Sequence, residues 1–67
     1  MILSAVITEA QEGGFVALNP ETGTTTQGET LNEAVENLKE ATSLFLEEFP
    51  KLPTKPAVMT SFELSHA

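Results

Sequence analysis

Residues 30–49, TLNEAVENLKEATSLFLEEF, decide the fold of this chain. Thr30 and Glu33 have the spacing of a capping box, in which the threonine side chain accepts from the glutamate backbone N–H and the glutamate reaches back. Pro50 cannot continue a helix and restricts the residue before it. These signals predict one helix from about Leu31 to about Glu48. Its buried stripe repeats every three or four residues: Leu31, Val35, Leu38, Phe45 and Phe49, flanked by Ala34 and Ala41.

The segment that precedes this helix predicts three strands. Residues 1–9 alternate, with apolar side chains on both faces, which favours a central strand that is covered on two sides. Gly13 and Gly14 predict a turn because glycine adopts positive φ without steric cost. Residues 15–18 then predict a second strand. The run NPETG predicts another turn, and the β-branched residues after it predict a third strand near the sheet edge.

Downstream of the helix, residues 50–56 contain three prolines and predict an extended connector. Residues 57–64 alternate again, with Val58, Phe62 and Leu64 on one face, and predict a fourth strand. A right-handed crossover through the helix places this strand parallel to the first. The expected fold is a single α+β domain over residues 1–67: β-β-β-α-β, a mixed sheet of order 3-2-1-4, with one helix on one face.

The small size of the chain predicts self-association. A domain of 67 residues buries only about 60% of the surface that its unfolded chain exposes. Small domains often need disulfides, a metal or oligomerisation. The chain has no cysteine, and a lone His66 is a poor basis for a metal site. Because one helix covers only one face of a sheet that looks apolar on both, we expect the other face to meet a second copy.

The charge of the chain favours a basic protein partner. Ten glutamates and no aspartate stand against three lysines, giving a net charge of −7. Such a field repels phosphate backbones, so direct nucleic-acid binding is not expected. The alternative is that glutamate serves only as a soluble helix former. The missing cysteines suit a reducing cytoplasm, and the apolar run at residues 1–9 is shorter than the ~20 residues that cross a membrane.

The sequence offers little material for catalysis. It has no cysteine nucleophile, and no base can be assigned to its serines. A two-metal nuclease needs carboxylates that converge on cations about 4 Å apart. The first strand offers Ser4, Ala5 and Val6 at the corresponding interior positions, and the chain lacks aspartate. We therefore expect no enzyme activity, no metal and no cofactor.

Helical spacing brings four residues together as a candidate partner-binding surface. Glu33, Glu36 and Glu40 lie away from the apolar stripe, and Leu44 lies among the same polar faces. They suit a basic partner with one apolar contact. The alternative is an ordinary solvated face with a lone exposed leucine, which is common.

One family shares this order of motifs. The run at residues 13–48, GGFVALNPETGTTTQGETLNEAVENLKEATSLFLEE, resembles the N-terminal domain of HicB-like antitoxins. Their pattern is a Gly-Gly turn, an aromatic-led strand that ends in Pro-Glu, and a threonine-bearing strand. A helix start of the Gln-Gly-Glu-Thr type and an Asn-Leu-Lys-Glu-Ala core follow. The chain departs from the family in the shorter turn at residues 21–24, and the residues after Leu64 are not expected to form the DNA-binding domain that such antitoxins usually append.

The resemblance implies a partial ribonuclease H-like fold without nuclease residues, and a toxin partner. In this family the toxin is a small basic ribonuclease with a double-stranded-RNA-binding-like fold. The expected function is therefore a non-catalytic, cytoplasmic antitoxin that covers the toxin's active or RNA-binding surface. The second hypothesis is an orphan dimeric regulatory or accessory domain with another protein partner, and the third is a divergent nuclease.

Overall fold

A computed structural model describes residues 1–50 and 55–65. Within them, three antiparallel strands are hydrogen-bonded in the order β1-β2-β3, and one helix packs mainly on β2 and β3. The α+β class and the single helix are thus confirmed. The elements are β1 (Val6–Glu9), β2 (Phe15–Asn19), β3 (Thr24–Gly28) and α1 (Leu31–Glu48).

The predicted fourth strand is not formed. Residues 57–64 contain no strand, so the four-stranded order 3-2-1-4 is absent and β1 lies at an edge of the sheet instead of its centre. The backbone N–H of Ala57 donates to the Glu21 carboxylate, and its carbonyl accepts from Ser4 Oγ at 3.3 Å. Ala57 is thus held by side chains and not by a strand ladder. The predicted connector and His66 fall partly or wholly on residues 51–54 and 66–67, outside the described residues.

The first strand is shorter than its alternation predicts. It starts at Val6, which pairs with Leu18, so Ala5 would stand opposite Asn19. The chain turns after Asn19, and residues before Ala5 therefore have no strand to pair with. Met1 and Ile2 are accordingly exposed.

Both predicted turns are confirmed. Gly13 and Gly14 have φ of 102° and 81°, in the left-handed region where glycine is favoured. The second turn is closed by a hydrogen bond from the Gly23 N–H to the Asn19 carbonyl at 2.8 Å. The Asn19 side chain adds an Asx-type bond, because its Oδ1 accepts from the Thr22 N–H at 2.9 Å.

The predicted cap begins the helix. Thr30 Oγ1 accepts from the Glu33 N–H at 3.1 Å, as expected. Glu33 reaches back to the backbone N–H of Glu29 at 2.9 Å, one residue earlier than the capping box predicts. At the other end the Phe49 N–H donates to the Phe45 carbonyl, and Pro50 follows.

The core lies between the middle of the helix and the sheet. Ala17, Ala34 and Leu38 are buried, with Ile7 and Phe15 packed against them. The predicted stripe is correct near its centre, but its two ends are wrong: Leu31 and Phe49 are exposed. An 18-residue helix is about 27 Å long, whereas five-residue strands span only about 17 Å, so the helix overhangs the sheet. Thr42, which the stripe omitted, is buried and donates to the Leu38 carbonyl at 2.8 Å.

The helix is fastened most closely to β3. Thr26 Oγ1 donates to the Ala34 carbonyl at 2.9 Å, and Asn37 Nδ2 donates to the Gln27 carbonyl at 2.7 Å. At Gly28 the backbones approach so closely that a Cβ would overlap the Ala34 backbone nitrogen. This contact fixes where the helix starts relative to the sheet.

Candidate protein-binding surfaces

The structure brings all four predicted binding residues onto one solvent-facing side of α1. Glu33, Glu36, Glu40 and Leu44 are exposed, and we call this set the acidic helix face. Leu44 is 60% exposed. The side chains that the helix buries are Ala34, Leu38 and Thr42. Steps of three and four residues produce both faces, because they return to the same side of a helix.

Local contacts orient two of the three carboxylates. Glu33 is held by its hydrogen bond to the Glu29 N–H. Glu36 pairs with Lys39 at 2.9 Å, with both side chains 68% exposed, so water screens this ion pair and it contributes little to stability. Glu40 makes no side-chain hydrogen bond to the residues that the structure describes. The face therefore keeps most of its negative character.

An open cleft of about 780 Å³ adjoins the acidic helix face at the start of the helix. The β1–β2 turn and the β3–α1 connection form its walls. Three glutamates line it: Glu12, Glu29 and Glu33. Glu33 thus belongs to both surfaces. Sequence reasoning missed the cleft because Glu12 lies in a turn far from the helix along the chain, and only the fold brings it close.

A second cluster, the Glu21 clamp, joins three separate parts of the chain: Ser4, Asn19, Glu21 and Ala57. Glu21 accepts from the Ser4 N–H and the Ser4 hydroxyl, each at 2.8 Å, and from the Ala57 N–H. Asn19, which is buried, donates to the Ser4 carbonyl and to Glu21, each at 2.7 Å. The clamp ties the start of the chain and the segment after residue 54 to the β2–β3 turn.

The donors of the clamp favour the charged form of Glu21. Backbone hydrogen bonds, from Ser4 first and then from Ala57, lower the pKa of Glu21 from 4.5 to about 2. Partial desolvation opposes this shift and is outweighed. No sequence motif marked Glu21 for this role. The only local signal was Asn19, whose side chain commonly bonds the backbone of its own turn.

We expect the clamp to open in acid. Because folding lowers the pKa of Glu21, its stabilising effect is fully present above pH 4.5 and is lost as the pH falls toward 2. In two-dimensional ¹H–¹⁵N NMR, the Ser4 and Ala57 amide resonances should titrate with a midpoint near pH 2. A Ser4 and Ala57 midpoint near 4.5 would show that the clamp does not form.

Within residues 1–50 and 55–65, no group of three or more histidine, cysteine or acidic side chains is arranged to hold a metal ion. The helix in this part of the chain is not apolar enough over its length to cross a membrane. Comparisons with protein-family models, curated proteins and solved structures gave no match to this chain.

Proposed function

We propose that this chain is a non-catalytic protein-binding module, an antitoxin of the HicB-like type with a partial ribonuclease H-like fold. Its target would be a small basic ribonuclease in the cytoplasm. The observation that supports this most is the acidic helix face, which stays clear of the sheet on a chain with a net charge of −7. An inhibitor of this kind needs no catalytic group of its own.

Electrostatics favours a partner that binds RNA. A ribonuclease must attract phosphates, so its substrate surface is basic. An acidic face of matching extent attracts that surface over a distance and accelerates encounter. It then competes with RNA for the same cations. Charge complementarity of this kind mainly sets the association rate and the choice of partner.

Leu44 and the cleft give the face specific contacts in addition to charge. Interfaces usually have an apolar centre inside a polar rim. Leu44 is 60% exposed and is next to Glu40 on the acidic helix face, so it supplies an apolar contact. The cleft, with Glu29 and Glu33 in its wall, has room for a lysine or arginine side chain of the partner.

A second function deserves a test because of one observation. In the described residues only three apolar side chains are buried, and nine large apolar side chains are exposed. This surface also suits an orphan dimeric regulatory or accessory domain that binds a different protein. Self-association is compatible with both proposals, and ribonuclease inhibition by the acidic helix face does not require it.

The first experiment is affinity purification of the full chain from its native host. The proposal requires a captured protein that is small and basic, that cleaves RNA, and that loses this activity when the purified chain is added. A captured partner without ribonuclease activity favours the accessory domain instead.

The captured ribonuclease then tests the acidic helix face. We expect the triple variant Glu33→Gln, Glu36→Gln and Glu40→Gln to associate at least tenfold more slowly at low salt, and to lose most of its salt dependence. Glutamine nearly preserves helix propensity. The control removes charges away from this face, with Glu9→Gln and Glu63→Gln. An equal slowing for each charge removed in the two variants, measured by stopped flow, would show that only net charge matters.

A further inference from the structure

The C-terminal segment, residues 57–65, leaves its apolar side chains in solvent. Val58 is 90% exposed and Phe62 82%, and Met59 and Leu64 are also exposed. The radius of gyration is 13.8 Å, and the longest dimension is 48 Å. A compact domain of this length has a radius of about 11 Å. The chain therefore extends well beyond its packed body.

The buried core of the sheet and helix is small, so the exposed apolar side chains of the C-terminal segment are more than ordinary surface residues. Two of its three buried apolar residues are alanines, Ala17 and Ala34. A Phe side chain alone buries about 150–250 Å² when it is covered. The C-terminal segment thus carries more large apolar side chains than the core does. Covering them would add a large share of the stability that so small a domain lacks.

The free edge of β1 is able to accept a strand. The Ala10 N–H donates to the Gly14 carbonyl, so Ala10 faces β2. Antiparallel ladders alternate, so Thr8 and Val6 also face β2, whereas Ile7 and Glu9 point their N–H and C=O groups away from it. In the described part of the chain no strand pairs with this side of β1. Unpaired edges of this kind are templates for a further strand.

A groove beside this edge suits an apolar side chain. It has a volume of about 120 Å³, and Leu3, Ala5, Leu38 and Thr42 are among the residues that line it. A cavity of about 150 Å³ holds a benzene molecule. The groove lies where β1 begins, next to the edge that an added strand would follow.

We propose that two copies of this chain exchange their C-terminal segments, each segment pairing with the β1 edge of the other copy. Donor and acceptor are on the same chain, so two copies can exchange segments reciprocally, and a reciprocal exchange closes into a symmetric dimer. The C-terminal segment does not pair with the β1 edge of its own chain. Ala57 is held by the side chains of Glu21 and Ser4, and Val58 immediately after it is 90% exposed. The inference goes beyond the proposed function and is independent of it, because the acidic helix face takes no part.

Charge selects a second copy over a basic partner. The C-terminal segment carries one charge, Glu63, although the whole chain has a net charge of −7. Two acidic chains can therefore meet through these segments with little local repulsion. A basic ribonuclease gains no electrostatic attraction from an almost neutral strand. Main-chain pairing supplies affinity, and alternate side chains supply specificity, as in other strand additions.

The test compares two variants of the full chain by sedimentation equilibrium from 1 to 100 μM. Wild type is expected to be a dimer. Phe62→Asp should raise the dimer dissociation constant at least tenfold, because it places a charge on the apolar face of the added strand. Ser61→Asp adds the same charge to the opposite face, next to it in sequence, and should retain the dimer. Phe62 is 82% exposed within one copy, so its replacement should not unfold that copy directly. If Phe62→Asp loses both the dimer and the helical circular dichroism signal, and Ser61→Asp loses neither, the result also supports the exchange.

A second pair of variants tests the accepting edge. Glu9→Pro removes an outward N–H that β2 does not use, whereas Glu9→Ala keeps it. We expect only the proline variant to weaken the dimer. A wild type that is monomeric at 100 μM overturns the proposal, and so does equal dimerisation of the two Glu9 variants. Failure here leaves ribonuclease inhibition by the acidic helix face unaffected, so the two proposals fail separately.

Discussion

Replacement of Leu38 by alanine is expected to lower the free energy of unfolding by about 2–5 kcal/mol. Leu38 is 4% exposed and is the only large member of the buried apolar cluster in the described residues. A domain of 67 residues has a total stability of about 3–10 kcal/mol. The variant should therefore lose a large share of the stability of the domain, and the urea concentration at its unfolding midpoint should fall in proportion. Urea denaturation followed by circular dichroism measures the loss.

Leu44→Ala is the matched control, because it makes the same chemical change on the same helix. Leu44 is 60% exposed, so its replacement should change stability by no more than about 0.5 kcal/mol. It should instead weaken binding of the ribonuclease partner. If the two variants lost equal stability, the helix would present Leu44 to the sheet, and the acidic helix face would not be free for a partner.

The helix was predictable from sequence because each of its determinants is local. The Thr30 cap, the three- and four-residue spacing and Pro50 all act within a few residues of one another. The same holds for the turn at Gly13 and Gly14, since positive φ is a property of single residues. The two ends of the predicted buried stripe were wrong for a different reason. Whether Leu31 and Phe49 are buried depends on the length of the strands under the helix.

The prediction of a fourth strand was wrong because strand pairing depends on residues that are far apart in the sequence. Alternation in residues 57–64 shows that the segment suits a sheet, but it does not identify which edge the segment joins. The same pattern fits the edge of the same chain and the edge of a second copy. The extent of β1 was wrong for a related reason, since it is limited by the position where β2 turns at Asn19.

The candidate surfaces also differ in whether the sequence alone could predict them. Glu33, Glu36 and Glu40 share a face by helix geometry alone, so the sequence was enough to group them. The Glu21 clamp was not predictable, because Glu21 meets Ser4 across 17 residues and Ala57 across 36. Polar contacts over such separations depend on the finished fold.

Gly28→Ala is expected to destabilise the chain by about 1–3 kcal/mol, the usual cost of forcing atoms into a packed site. In a small domain this lowers the melting temperature by roughly 4–8 °C for each kcal/mol. The direction of the change is informative. Where the backbone and the surroundings accept a Cβ, alanine is normally more stable than glycine by about 0.4–1 kcal/mol, because it restricts the unfolded chain. The opposite result is expected here because the new Cβ meets the backbone of Ala34, which cannot rotate away as a side chain does.

The overlap should also displace the start of the helix. That displacement strains the bonds from Thr26 to Ala34 and from Asn37 to Gln27, so the Ala34 amide should exchange faster with solvent. Gly13→Ala is the control: apart from the neighbouring residues in the chain, no heavy atom lies within 4 Å of the added Cβ, so this variant measures mainly the cost of positive φ. A stabilised Gly28→Ala variant would mean that the helix does not start against β3. The cleft that Glu29 and Glu33 share would then lose its inner wall, and with it the site proposed for a basic side chain of the partner.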